Sequence, residues 1–138
     1  MNRPVKYVSR DEIRFSMVKE DEDYFAHEDD VFNKFITDIQ YSLGTCEVVF
    51  ADATHLSEKA RNKVLDRLNL DNVDIYVVDF NLPLQVCLDQ NEYRKGTRSY
   101  VPRSVIRRMY HQYVRPSENE KYHYKGILMV GTPLVEED

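Results

Sequence analysis

The chain has 138 residues, 42% hydrophobic and 31% charged, with a net charge of −5. That is the length of one domain with room for a core, and the balance of a globular rather than a disordered chain. No apolar run reaches the ~20 residues of a membrane span and the start MNRPVKYVSR has no apolar signal core, so a cytoplasmic protein is expected.

KYVSR (6–10) reads as a short strand. It runs into Arg10-Asp11-x-x-Arg14, where Asp11 and Arg14 share a face of any helix that begins there. A carboxylate and a guanidinium held together beyond a strand end suit work on a hydroxyl and a phosphate. KEDEDYFAHEDD (19–30) is acidic, a loop or a frayed helix start, with no metal-ligand spacing. From Glu28 to Leu43, Val31, Phe32, Phe35, Ile36, Ile39 and Leu43 form one apolar helical stripe, and Gly44 stands where a C-cap glycine belongs.

EVVFADAT (47–54) is a continuous apolar run ending in Asp52, as a buried parallel strand would look. LSEKARNKVLDRLNL (56–70) predicts a helix with Ser57 as N-cap and Ala60, Val64 and Leu68 on its inner face. VDIYVVDF (73–80) is a second buried strand. Pro83 suits the first turn of a helix through LPLQVCLDQNEYRK, and GTRSYVP is a loop. PRSVIRRMYHQYV (102–114) predicts a helix with Val105, Ile106, Met109, Tyr110 and Tyr113 inward, and GILMVG (126–131) is a last strand. Cys46 and Cys87 read as reduced, buried thiols.

Strands alternating with helices predict one α/β domain over 1–138 with a mostly parallel sheet, a three-layer sandwich. In such sheets the chemistry lies beyond the carboxyl ends of the strands. Those ends carry Arg10-Asp11, then Asp52-Ala53-Thr54-His55, then Asp79. Between Arg94 and Arg115 lie seven basic residues (Arg94, Lys95, Arg98, Arg103, Arg107, Arg108, Arg115) and no acid, on a chain that is acidic overall. One basic segment on an acidic body suggests a local anion site rather than a protein that coats nucleic acid. Tyr100 is available for stacking, whereas Tyr110 and Tyr113 belong to the apolar stripe. His55 is the only histidine near the supposed site, and with no Gly-x-Ser-x-Gly elbow, Ser-His-Asp catalysis has no support.

SRDEIR, VVFADATHLSEKAR and NEYRKGTRSYVPRSVIRRMY, in this order, resemble the kinase domain of phage-type polynucleotide kinases and the wider family of small AAA-like P-loop kinases. The resemblance runs from about Val5 to about Pro116. It implies that Asp11 is the general base on an acceptor 5′-hydroxyl and that Arg14 binds the substrate or reacting phosphate. It implies that Asp52 and Thr54 lie near Mg²⁺ and substrate. The lid, about 84–115, would carry Asn91 and the phosphate-clamping Arg94, with Lys95 as the alternative clamp and Arg98 as a further phosphate ligand. Pro102 fits the helix start after the lid. No residue is assigned as a dedicated metal ligand.

The family's Gly-rich loop, G-x-x-x-x-G-K-[ST] after a first strand, does not occur in these 138 residues, whose glycines are 44, 96, 126 and 131. The expected fold is therefore the P-loop-kinase fold without its first strand, P-loop and first helix. In the family that strand lies between the strands at 47–54 and 73–80. Its absence predicts that the two pair directly, that the C-terminal strand fills the gap, or that a homodimer or a P-loop-bearing partner completes the sheet. Three functions remain open. One is a truncated or donor-deficient kinase that phosphorylates a hydroxyl on a nucleic acid or nucleoside, using Mg-ATP if active. Another is an inactive module that binds nucleotide, nucleic acid or protein without a cofactor. The third is a structural or regulatory subunit that pairs with a P-loop-bearing partner.

Overall fold

The structure is a computed structural model that describes residues 4–80, 82–97 and 99–131. It is an α/β chain of nine elements, all of whose strand pairings are parallel. The chain divides into two compact units. Residues 4–54 and 66–69 form the first, and 55–65 with 70–131 form the second.

In the first unit, β1 (Val5–Ser9) leads directly into α1 (Arg10–Met17), a helix the sequence only allowed for. Ser9 starts it: its hydroxyl accepts from the Glu12 N–H at 3.2 Å, and Asp11 and Glu12 complement the dipole of the first turn. Replacing Ser9 with alanine is expected to cost about 1 kcal/mol, read as a fall in the thermal midpoint. α2 (Glu28–Thr45) buries Val31, Phe32, Phe35, Ile36 and Ile39, the predicted stripe, with Val31 and Phe35 fully inaccessible. The helix continues through Gly44 rather than stopping there. The Cys46 N–H reaches Ser42 O at 2.7 Å and closes another turn.

β2 (Val48–Asp52) pairs in parallel with β1, from Val5 opposite Val48 to Ser9 opposite Asp52. The segment 66–69 returns to α2. Gln40 accepts from the Asn69 N–H at 2.7 Å, and Arg67 donates to Asn33 Oδ1 at 3.3 Å.

In the second unit, α3 (Glu58–Leu65) is capped by Ser57, whose hydroxyl accepts from the Ala60 N–H at 3.1 Å. It ends at Leu65, short of the expected 70. β3 (Tyr76–Phe80) pairs in parallel with β4 (Gly126–Val130). Between them run α4 (Leu84–Tyr93) and α5 (Arg103–Gln112), joined at 94–102.

Among the described residues β2 pairs with β1 alone and β3 with β4 alone, in two two-stranded sheets. Direct pairing of the strands at 47–54 and 73–80 is thus corrected. The C-terminal strand does enter a sheet, beside β3, but it does not bridge to β2. Burial of these strands needs correction too. Val48, Phe50, Tyr76, Val78 and Phe80 are exposed, as are Ile127, Leu128 and Met129 on β4.

Candidate functional site

In the first unit the register of β1 and β2 sets two acidic strand ends side by side. Ser9 lies opposite Asp52, so Arg10-Asp11 and Asp52-Ala53-Thr54 leave neighbouring strands at the same end. Asp11 sits in the first turn of α1 with two-thirds of its side chain exposed. Arg14, one turn on, is buried. Its Nη1 donates to Asp11 Oδ1 at 2.5 Å, and the Tyr24 hydroxyl donates to the same oxygen at 3.0 Å. Asp11 therefore has one oxygen fixed by two donors, on a carboxylate that faces solvent.

Arg14 is itself held by a fork. Its Nε and Nη2 donate to the two oxygens of Glu28 at 2.6 and 3.0 Å, the bidentate geometry that gives guanidinium–carboxylate pairs their strength. Its guanidinium also stacks 4.9 Å above the Tyr24 ring. Arg10 reaches Glu28 Oε2 at 3.3 Å. Burial works against the charge on Arg14, but the hydrogen bonds and charge of Glu28 and Tyr24 together outweigh it and raise the pKa. The Arg14 hydrogen bond in turn holds Glu28 below its ordinary value. Three of the five guanidinium N–H groups are thus committed to carboxylates and a fourth donates to the Tyr24 hydroxyl at 3.4 Å, leaving one N–H on Nη2 uncommitted. Tyr24 and Glu28 belong to this arrangement although sequence reasoning did not single them out. Both lie in the acidic run 19–30, where nothing local separates Glu28 from Asp29 and Asp30.

Asp52 is exposed and accepts from the Tyr7 hydroxyl. That hydrogen bond, with a smaller effect of burial, pushes the Tyr7 pKa up to about 12. Thr54 is exposed two residues on. Mg²⁺ is commonly held by one or two carboxylates together with substrate phosphates, and Asp52 with Thr54 has the oxygens for that role. Among the described residues no group of three or more His, Cys, Asp or Glu could hold a metal alone.

The second unit holds the remaining expected residues. Asp79 is buried on β3. The Tyr113 hydroxyl donates to its Oδ1 at 2.5 Å and Arg115 Nε lies 3.4 Å from Oδ2. Burial, and then the bond to Asp79, raise the Tyr113 pKa. Asn91, expected among the phosphate ligands, is fully buried. Its amide donates to Val101 O at 2.7 Å and accepts from Val101 N at 3.1 Å, pinning the end of α4 to the start of α5. Asn91→Ala would strand both backbone groups and is expected to cost about 1–3 kcal/mol. Faster amide exchange across 94–102 would check it.

Arg94 and Lys95 stand exposed at the turn after α4, before Gly96, whose φ of +85° is ready for glycine. Arg103, Arg107 and Arg108 are exposed along α5. Among the described residues these five cations have no carboxylate partner. Arg98 lies outside the described residues.

This is an α/β chain with parallel strands, an exposed aspartate held beside a buried arginine, and a basic helical hairpin. A family model described as AAA domain matches residues 1–116. The chain belongs to that AAA-domain family. Membership fits the P-loop-kinase-like α/β fold and a nucleotide-binding, kinase-like class of function. The match ends at residue 116, so Glu120, Tyr124 and β4 of the AAA chain lie outside it. No curated protein matches the chain. No helix among the described residues is long and apolar enough to cross a membrane.

Proposed function

We propose that the chain carries the acceptor side of a polynucleotide-kinase-like phosphotransferase, with a hydroxyl on a nucleic acid or nucleoside as acceptor. The observation that carries this reading is the Asp11 carboxylate, open to solvent on one side and held on the other by Arg14 and Tyr24. A base needs access to the hydroxyl and a fixed orientation, and Asp11 has both. Asp11 accepts the hydroxyl proton as the oxygen attacks phosphorus. The remaining N–H of Arg14 and its positive charge stabilise the charge that develops on the phosphoryl oxygens. Asp52 and Thr54 stand by to position metal and substrate. Arg94, with Lys95 as its alternative, neutralises the donor's terminal phosphates, and Arg98 is assigned with them. Mg-ATP supplies the phosphoryl group when bound.

The first experiment is calorimetric titration of the chain with Mg-ATP, followed by a 5′-phosphorylation assay. Micromolar binding with transfer to a 5′-hydroxyl oligonucleotide would mean that the lid and the acidic strand ends make a donor site without a Gly-rich loop. No binding at millimolar Mg-ATP sinks autonomous kinase activity.

The five cations with no carboxylate partner among the described residues favour a second reading, a binding module that grips polyanions through the α4–α5 hairpin without chemistry. Its signature is oligonucleotide affinity that falls steeply with salt, with no transfer. Arg103→Glu together with Arg107→Glu is then expected to weaken binding about tenfold or more.

A further inference from the structure

Phe32, on the buried stripe of α2, carries two guanidinium groups. The Arg10 Cζ lies 5.4 Å from its ring centre and the Arg67 Cζ 5.6 Å, both within cation–π range. All three residues belong to the first unit. Each cation is placed by local ties. Arg10 opens α1 directly after β1. Arg67 lies in the segment 66–69, which is pinned to α2 where Gln40 accepts from the Asn69 N–H at 2.7 Å. Neither guanidinium is used up. Arg10 makes one hydrogen bond, from Nη2 to Glu28 Oε2 at 3.3 Å, and Arg14 already takes both oxygens of that carboxylate. The Arg10 Nε is buried with no acceptor among the described residues. Arg67 is exposed and makes one hydrogen bond, to the neutral Asn33 amide at 3.3 Å. Among the described residues Arg67 has no carboxylate partner, and Asp29 and Asp30, the other acids in the first turn of α2, pair with neither arginine. Each guanidinium thus commits one of its five N–H groups.

A charged donor buried without an acceptor is costly, and two guanidinium groups around one ring repel each other. An anion that reaches both removes both costs. We propose that Arg10 and Arg67 form a binding site for a phosphate dianion, inorganic phosphate or a phosphate monoester, over Phe32. Planar guanidinium forks match phosphate oxygens bidentately, and two of them balance a double negative charge. A phosphodiester carries a single charge and suits the pair less. Arg10 is held by one long bond, so its guanidinium turns toward the anion while Glu28 stays paired with Arg14. The site is next to Asp11 in the chain, but it needs no chemistry and stands apart from the phosphotransfer reading.

Proton–nitrogen NMR of the full chain resolves the arginine Nε–H groups. Titration with inorganic phosphate, held as the dianion and at an ionic strength kept constant with sodium chloride, separates binding from screening. The Arg10 and Arg67 signals are expected to shift along one saturating curve with millimolar dissociation. Arg67→Gln, at an exposed side chain, is expected to weaken binding about tenfold or more, and Arg10→Gln equally. Lys34→Gln, at an exposed cation of α2 paired with Asp38, leaves it unchanged. Phenyl phosphate, a monoester, should bind like inorganic phosphate, and dimethyl phosphate, a diester, more weakly than either. The titration of the unmodified chain gives a reading free of folding artefacts. Signals that do not saturate, a shift at one arginine alone, binding indifferent to Arg67→Gln, or a diester that binds more tightly than the dianions each overturns the proposal.

Discussion

Arg61→Ala is expected to lower the stability of the second unit by about 3–5 kcal/mol, the cost of leaving a buried ion pair half-made. The thermal midpoint should fall by roughly 10–20 °C. Arg61 and Glu120 side chains are 5% and 3% exposed, and the guanidinium meets both carboxylate oxygens at 3.0 and 2.7 Å. The same guanidinium donates to His55 O and Val114 O, at 2.8 and 2.9 Å, so alanine strands two carbonyls as well as a carboxylate. Glu120 further accepts from the Ser117 N–H and the Tyr124 hydroxyl. Burial, then that hydroxyl's bond to Glu120, pushes the Tyr124 pKa up to about 12.

The Arg61 hydrogen bond holds Glu120 below its ordinary value of 4.5. A depressed carboxylate stabilises the fold above its ordinary range, and that contribution is lost as pH falls through the depressed folded value. Acid below about pH 4.5 should therefore narrow the gap between the parent and Arg61→Ala. Arg61→Met with Glu120→Leu should cost less than either single change, since no buried charge is then left alone. Circular-dichroism melts of all four chains decide it. A single-variant loss under about 1 kcal/mol would mean that water reaches the pair.

Legibility in the sequence followed how local the cause was. The α2 stripe and the Ser57 cap were readable because each is set within a turn or two of chain. The parallel pairings were readable from the alternation of strands with helices. The Arg61–Glu120 pair was not, because its partners are 59 residues apart. A signal existed: Arg61 stands three residues before buried Val64, on the inner side of a helix where an arginine needs a partner. Asp11 and Arg14 were found together because their spacing is three, but Glu28, 14 residues beyond Arg14, was not. The exposure of the strands could not be read either. An apolar run looks the same whether one face is covered or two, and burial is fixed by neighbours elsewhere in the chain.

The prediction that bears most on function concerns Asp11→Asn. Asparagine matches aspartate in shape, and its amide oxygen can still accept from Arg14 and Tyr24, so the fold and Mg-ATP binding should hold. The lost property is proton acceptance. Removal of a positioned base costs typically 10²–10⁴-fold in rate, and transfer to a 5′-hydroxyl oligonucleotide is expected to fall within that span. Glu28→Gln separates positioning from chemistry. It weakens the fork on Arg14 and leaves Asp11 untouched, so a smaller loss, about tenfold, is expected. The loss of Asp11 should appear mainly in kcat, and Arg14→Lys, which cannot fork onto Glu28, should resemble Glu28→Gln rather than Asp11→Asn. An Asp11→Asn chain that transfers phosphate within about threefold of the parent would remove Asp11 from the chemistry, because a base cannot be dispensed with at so small a cost.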